Sequence, residues 1–160
     1  MAEISLRRAL LGDAASIARV HRLSRADYYR EPPVEDDDRE AMWSHLLRQR
    51  DRDTYAAETA GSIVGFMSAR HIPGPPSEFE LTALYVLPSE YNRGVGSRLY
   101  NLFDRERGHG TPGILEVWAG NPRAIDFYRR RGWVSTYTSR PGPQCVDFIT
   151  YRLPAGAQAS

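Results

Sequence analysis

Residues 84–100 read LYVLPSEYNRGVGSRLY, and this stretch decides the fold. An apolar run ends at Pro88, and a glycine pair follows at Gly94 and Gly96. A helical period then begins at once, with Val95, Leu99, Leu102 and Phe103 at i, i+4, i+7 and i+8. A strand that turns through glycines into a helix aims the N–H groups of residues 92–97 along a helix dipole. That arrangement suits a phosphate. Arg93 and Arg98 are expected to add charge at its rim.

Other readings of the turn are weaker. A dinucleotide-binding turn wants a third glycine, but Ser97, Arg98 and Leu99 follow the pair. A phosphate loop of the lysine type is excluded, because all 21 basic residues are arginine. A purely structural tight turn stays open on these residues alone.

Working outward, EFELTALYVLP (78–88) is the most apolar strand, and IPGPPS (72–77) before it must be a loop. Upstream, residues 3–8 alternate as a strand, and Asp13 is the expected N-cap of a helix through residue 29. A second helix carries Met42, Trp43, Leu46 and Leu47. Residues 54–71 form two strands joined at Ala60-Gly61. Downstream, GILEVWAG (113–120) is a strand. Asn121-Pro122 then opens a helix that Gly132 closes, and residues 133–140 and 144–152 form a terminal hairpin. The order βααβββαβαββ predicts an α/β fold with a mixed sheet, its one strand–helix–strand unit giving a parallel pair.

The 160 residues suit one domain, expected over 1–153, with a frayed tail at 154–160. A formal charge of +1 gives no general case for nucleic-acid binding. Between Tyr91 and Arg140, however, nine arginines (93, 98, 105, 107, 123, 129, 130, 131, 140) face four acids (104, 106, 116, 126), a balance that suits an anionic ligand. No stretch approaches the ~18 apolar residues of a membrane span, and arginines interrupt the N-terminus where a signal peptide needs an apolar run. A cytoplasmic protein without membrane partners is expected. Cys145 is the single cysteine, which excludes an internal disulfide and a multi-cysteine metal site; it is expected to be a buried, inert thiol. His21, His45, His71 and His109 show no metal-ligand spacing, and no metal is expected.

Two segments together resemble the GNAT superfamily of N-acetyltransferases. LYVLP (84–88) followed by Tyr91-Asn92-Arg93-Gly94-Val95-Gly96 is similar to the family's acetyl-CoA signature, and LEVWAGNPRAIDFYRRRGW (115–133) to its second motif. The order and spacing agree, and the resemblance covers nearly the whole chain. One position departs: the signature opens on Gln or Arg, and here stands Tyr91. The resemblance implies a GNAT-like fold and acetyl-CoA as co-substrate. Its pyrophosphate would be held by Tyr91, Asn92, Arg93, Gly94, Val95, Gly96, Ser97 and Arg98. Backbone groups of Leu84, Tyr85 and Val86, at a strand bulge, would hold the thioester carbonyl. Asn121, Ala124, Phe127 and Tyr128 would line the remainder.

Transfer of an acetyl group to an amine needs a base for the ammonium and an acid for the departing thiolate. Glu80, flanked by apolar Phe79 and Leu81, resembles the strand glutamate that some members use as base; an ordinary acid on a strand face is the alternative, and Glu78 is the reserve. Tyr128 matches the family tyrosine that protonates the sulfur, against a packing role on its helix face. Trp118 and Trp133 read as core. In the helix connection, Glu31, Glu35, Asp36, Asp37 and Asp38 could concentrate a cationic amine or simply favour a helix start. The resemblance implies as acceptor a primary amine of a small molecule or peptide, attacked directly in a ternary complex, with polyamine, aminoglycoside, amino acid and peptide N-terminus all open. The rival expectation is a non-catalytic acyl-CoA sensor. An exposed terminal hairpin edge also suggests a homodimer.

Overall fold

The computed structural model describes residues 2–34 and 37–156. Its elements run β1 (Ser5–Arg8), α1 (Ala14–Tyr29), α2 (Arg39–Leu46), β2 (Arg52–Thr59), β3 (Ser62–Ile72), β4 (Glu78–Val86), α3 (Val95–Arg107), β5 (Gly113–Trp118), α4 (Pro122–Arg129), β6 (Val134–Arg140) and β7 (Phe148–Leu153). This is the element order expected from the sequence. The strands form one seven-stranded sheet, β1-β2-β3-β4-β5-β7-β6, antiparallel except where β4 meets β5.

Apolar residues on both faces of the central strands bring helices to both sides. On one face, Phe66 of β3 meets Trp43 of α2 at 4.9 Å between ring centroids, and Tyr85 of β4 stacks on His21 of α1 at 4.6 Å. On the other, Phe79 of β4 stacks on Phe103 of α3 at 5.2 Å. Each fully buried ring of this kind contributes about 1.5–3 kcal/mol. Helix α3 comes so near β3 that a Cβ on Gly65 would lie 3.0 Å from Val95 Cγ1 and 3.2 Å from Leu99 Cδ1. A side chain there would push the helix off the sheet.

Three irregularities shape the molecule. First, β4 and β5 share only two register pairs, Phe79↔Gly113 and Glu80↔Ile114, and then diverge. Second, β4 carries a bulge at Thr82: Leu81 pairs with Ala69 and Ala83 with Ser68, so Thr82 has no partner residue. The bulge lies two residues before the expected Leu84–Val86 segment. The Thr82 hydroxyl fixes it there by donating to the Ser68 carbonyl at 3.0 Å. Third, the β6 edge is interrupted between Ser135 and Ser139, where Tyr137 has φ 61° and is exposed. A bulged edge is poorly shaped for strand-to-strand pairing with a second copy.

Two local expectations are corrected. Asp13 stands at the N-cap position of α1 as expected, but its side chain makes no cap bond; its carboxylate instead accepts from Arg7 at 2.7 and 3.0 Å and from the Leu10 N–H at 2.7 Å. Cys145 is exposed rather than buried. Pro143 starts a tight turn in which Gln144 and Cys145 both have positive φ, so β7 begins only at Phe148. Among the described residues no helix is long and apolar enough to cross a membrane, and no group of His, Cys, Asp and Glu is placed to hold a metal.

Candidate active site

The divergence of β4 from β5 opens a cleft of about 820 Å³. Beyond Glu80 the β5-facing edge of β4 has no strand partner, so its backbone polar groups are left to whatever enters. Leu84, Tyr85 and Val86 line this edge, with Leu81, Thr82 and Ala83 below them; Leu115, Glu116, Val117 and Trp118 line the β5 side.

At one end the cleft meets the glycine turn. Asn92 and Gly94 both take left-handed conformations, with φ 64° and 83°, on either side of Arg93. Gly94 stands as the N-cap of α3. A turn of this shape gathers successive N–H groups into an anion-binding hollow ahead of the helix dipole. Tyr91, Asn92, Gly94, Val95, Gly96 and Ser97 all line the cleft. Arg93 and Arg98, expected at its rim, do not. Arg93 reaches back to Glu90 at 3.4 Å, and Arg98 lies on the side of α3 facing β1, where it donates to the Ile4 carbonyl.

Helix α4 forms the opposite wall through Asn121, Ala124, Phe127 and Tyr128. Asn121 caps it as expected, its side chain accepting from the Ala124 N–H at 3.2 Å. Arg131 braces this wall: its guanidinium lies 3.6 Å from the Phe127 ring centre and donates to the Ser97 hydroxyl at 3.0 Å, joining α3 to α4. Tyr128 is buried against Phe127 and Trp133. Burial above all, then the neighbouring Tyr85 and Tyr100, pushes its phenol well above the ordinary range. It is therefore a fully protonated donor at neutral pH.

The far end of the cleft is aromatic. Tyr28 and Tyr85 face each other with rings 10° from parallel at 6.3 Å, and Trp118 packs edge-on to Tyr29 at 4.6 Å. Trp118, read from the sequence as core, is buried yet contributes to the lining; its indole N–H donates to the carbonyls of Pro143 and Val146.

The carboxylates divide differently from expectation. Glu80 accepts from Arg70 Nε at 3.0 Å and is not among the lining residues, nor is Glu78, which faces Arg152 at 3.8 Å. The carboxylates that do line the cleft are Asp27, Glu90, Glu116 and Asp126. Glu116 accepts from Arg140 Nε at 2.6 Å and stands beside the gap between the strands. It sits inside the motif 115–133, but its alternation with Leu115 and Val117 resembles any half-exposed strand, so the sequence did not single it out. The expected acidic lip is largely occupied: Asp37 pairs with Arg22 and Arg39, and Glu31 accepts from Gln144. Glu35 and Asp36 lie outside the described residues.

Comparison with known proteins places the chain in a family and agrees with its fold. Residues 17–133 match the family described as "Acetyltransferase (GNAT) family". The chain is 33% identical over 135 residues to L-2,4-diaminobutyric acid acetyltransferase of Nocardia farcinica. That match covers 79% of this chain and 65% of the relative, slightly under two thirds of its length. The ribosomal-protein-S18-alanine N-acetyltransferase of Escherichia coli superposes with a TM-score of 0.73 at 22% identity, covering 96% of this chain and 95% of the other. A Thermoplasma acidophilum N-acetyltransferase solved with coenzyme A gives 0.63 at 17% identity, over 92% and 98%. At these identities the structures speak for the fold alone.

Proposed function

Since the chain belongs to the acetyltransferase (GNAT) family, we propose that it transfers the acetyl group of acetyl-CoA to a primary amine by direct attack within the cleft between β4 and β5. One observation carries the reading: a single cleft joins an anion-binding turn, an unpaired strand edge and a buried, protonated tyrosine.

Each part has a chemical task. The turn at residues 91–97 offers N–H groups to the cofactor's phosphates, and the Leu84–Val86 edge offers backbone groups to the acyl arm. Glu116 takes the proton of the acceptor ammonium, directly or through water, because it lines the cleft, as Glu80 does not, although each accepts from an arginine. Tyr128 gives its proton to the leaving sulfur. A phenol raised by burial is a weak acid, but a thiolate generated in the same dry site is a correspondingly strong base. The aromatic end formed by Tyr28, Tyr85 and Trp118 receives the acceptor, as flat rings suit a cationic amine. The name of the Nocardia relative makes a small diamino acid the first acceptor to try.

Calorimetry with acetyl-CoA, followed by a free-thiol assay over diamino acids, polyamines, aminoglycosides and peptide N-termini, tests the reading. Binding with thiol release for one amine class supports it. Binding without release for any acceptor favours a CoA-binding sensor, and no binding removes the reading.

A further inference from the structure

The glycine turn lacks a cation of its own facing the cleft. Arg93 is engaged by Glu90, Arg98 turns toward β1, and the position that opens the family motif holds Tyr91. A guanidinium is nevertheless present at the turn, brought from another element. Arg123 projects from the first turn of α4, and its guanidinium carbon lies 3.7 Å from the centre of the Tyr91 ring. Its Nη2 also donates to Asn92 Oδ1 at 3.5 Å.

Local forces alone do not explain this placement. A cation in the first turn of a helix is opposed by the helix dipole. Among the described residues no carboxylate pairs with Arg123; the nearby Asp126 is taken by Arg130. What holds Arg123 is the face of an aromatic ring and one long contact to Asn92, which leaves its other in-plane N–H groups available to an oxyanion. Tyr91 is half-buried and shares the cleft wall with Ser24 and Asp27 of α1. Burial raises its pKa, so it stays uncharged at neutral pH. Arg123, Tyr91 and Asn92 all line the cleft beside the anion-binding hollow.

We infer that Arg123, seated on Tyr91, is the cation that binds a phosphate of the donor, supplied across the cleft by α4 in place of a side chain on the turn. The inference rests on acetyl-CoA being the donor. Tyr91 is then the platform of a relocated phosphate ligand, and the pair sets specificity for nucleotide-bearing thioesters over bare pantetheine thioesters.

The test measures the binding of acetyl-CoA, 3′-dephospho-acetyl-CoA and acetyl-pantetheine to the wild type, Arg123→Ala, Tyr91→Ala and the double variant. Arg123→Ala should weaken acetyl-CoA about tenfold, or about 1.4 kcal/mol, while acetyl-pantetheine changes less than twofold. Tyr91→Ala should reproduce much of that loss, and the double variant should lose little more than the worse single change. Retained loss with the dephospho compound places the contact on the diphosphate; absence of loss places it on the 3′-phosphate. Either supports the pair as a phosphate ligand. A change below twofold for acetyl-CoA overturns the inference, as does equal weakening of all three thioesters. Failure of the wild type to bind acetyl-CoA would instead strike the donor assignment itself.

Discussion

The indole N–H of Trp43 donates to Nδ1 of His21 at 3.2 Å, and this contact commits the imidazole to its Nε2–H form. Burial, reinforced by Arg39 and Arg25, lowers the His21 pKa to about 3. The neutral ring belongs to the folded state, whereas the unfolded chain binds a proton near pH 6.5. Stability from this site is therefore complete above about pH 6.5 and declines as pH falls toward 3. Urea titrations between pH 7 and 4 should show that decline, and His21→Phe should flatten it. An unchanged acid limb in the variant would assign acid sensitivity to other groups.

Tyr128→Phe should lower kcat by roughly 10²-fold or more while the affinity for acetyl-CoA stays within about threefold. The ring fills the same space between Phe127 and Trp133, so folding is preserved. Full turnover in this variant would pass the acid role to solvent.

Glu116→Gln and Glu80→Gln separate the two carboxylates. The first should cost about 10²-fold in kcat at neutral pH and regain activity as pH rises toward that of the free amine. The second should change kcat by less than about fivefold, since Glu80 is engaged by Arg70 outside the cleft. A reversal of this order in steady-state kinetics would restore Glu80 as base.

Gly94→Val should act on binding rather than chemistry. With φ at 83°, a β-branched residue is strained by roughly 1–2 kcal/mol, visible as a lower Tm. Distortion of the anion-binding hollow should raise KM for acetyl-CoA at least tenfold with a smaller change in kcat. Unaltered KM would mean that the turn does not touch the donor.

The fold was largely legible because its signals are local. The period of Val95, Leu99, Leu102 and Phe103, the Asn121-Pro122 start and the Gly132 stop each act within a few residues, and each appears where the sequence places it. What escaped depends on contacts distant in sequence. The engagement of Glu80 by Arg70 requires the β3–β4 register, and the exclusion of Arg93 and Arg98 requires knowing which side of α3 faces β1. Glu116 became visible only once β5 was seen to part from β4. Cys145 was misplaced for a nearer reason: the Pro143 turn delays the strand by several residues.

The two register pairs between β4 and β5 mean that the sheet is really two panels, β1–β4 and β5-β7-β6, fastened to each other along the sheet by a short seam. An extended ligand arm lying in the gap would occupy the place of the missing rungs and continue the seam toward the glycine turn. A donor held there would act as a temporary mortar between the two panels. Those amide hydrogens of residues 82–86 that face the gap rather than β3 should exchange rapidly in the free protein and slowly in the loaded one. Release of the spent carrier would loosen the panels before the next cycle.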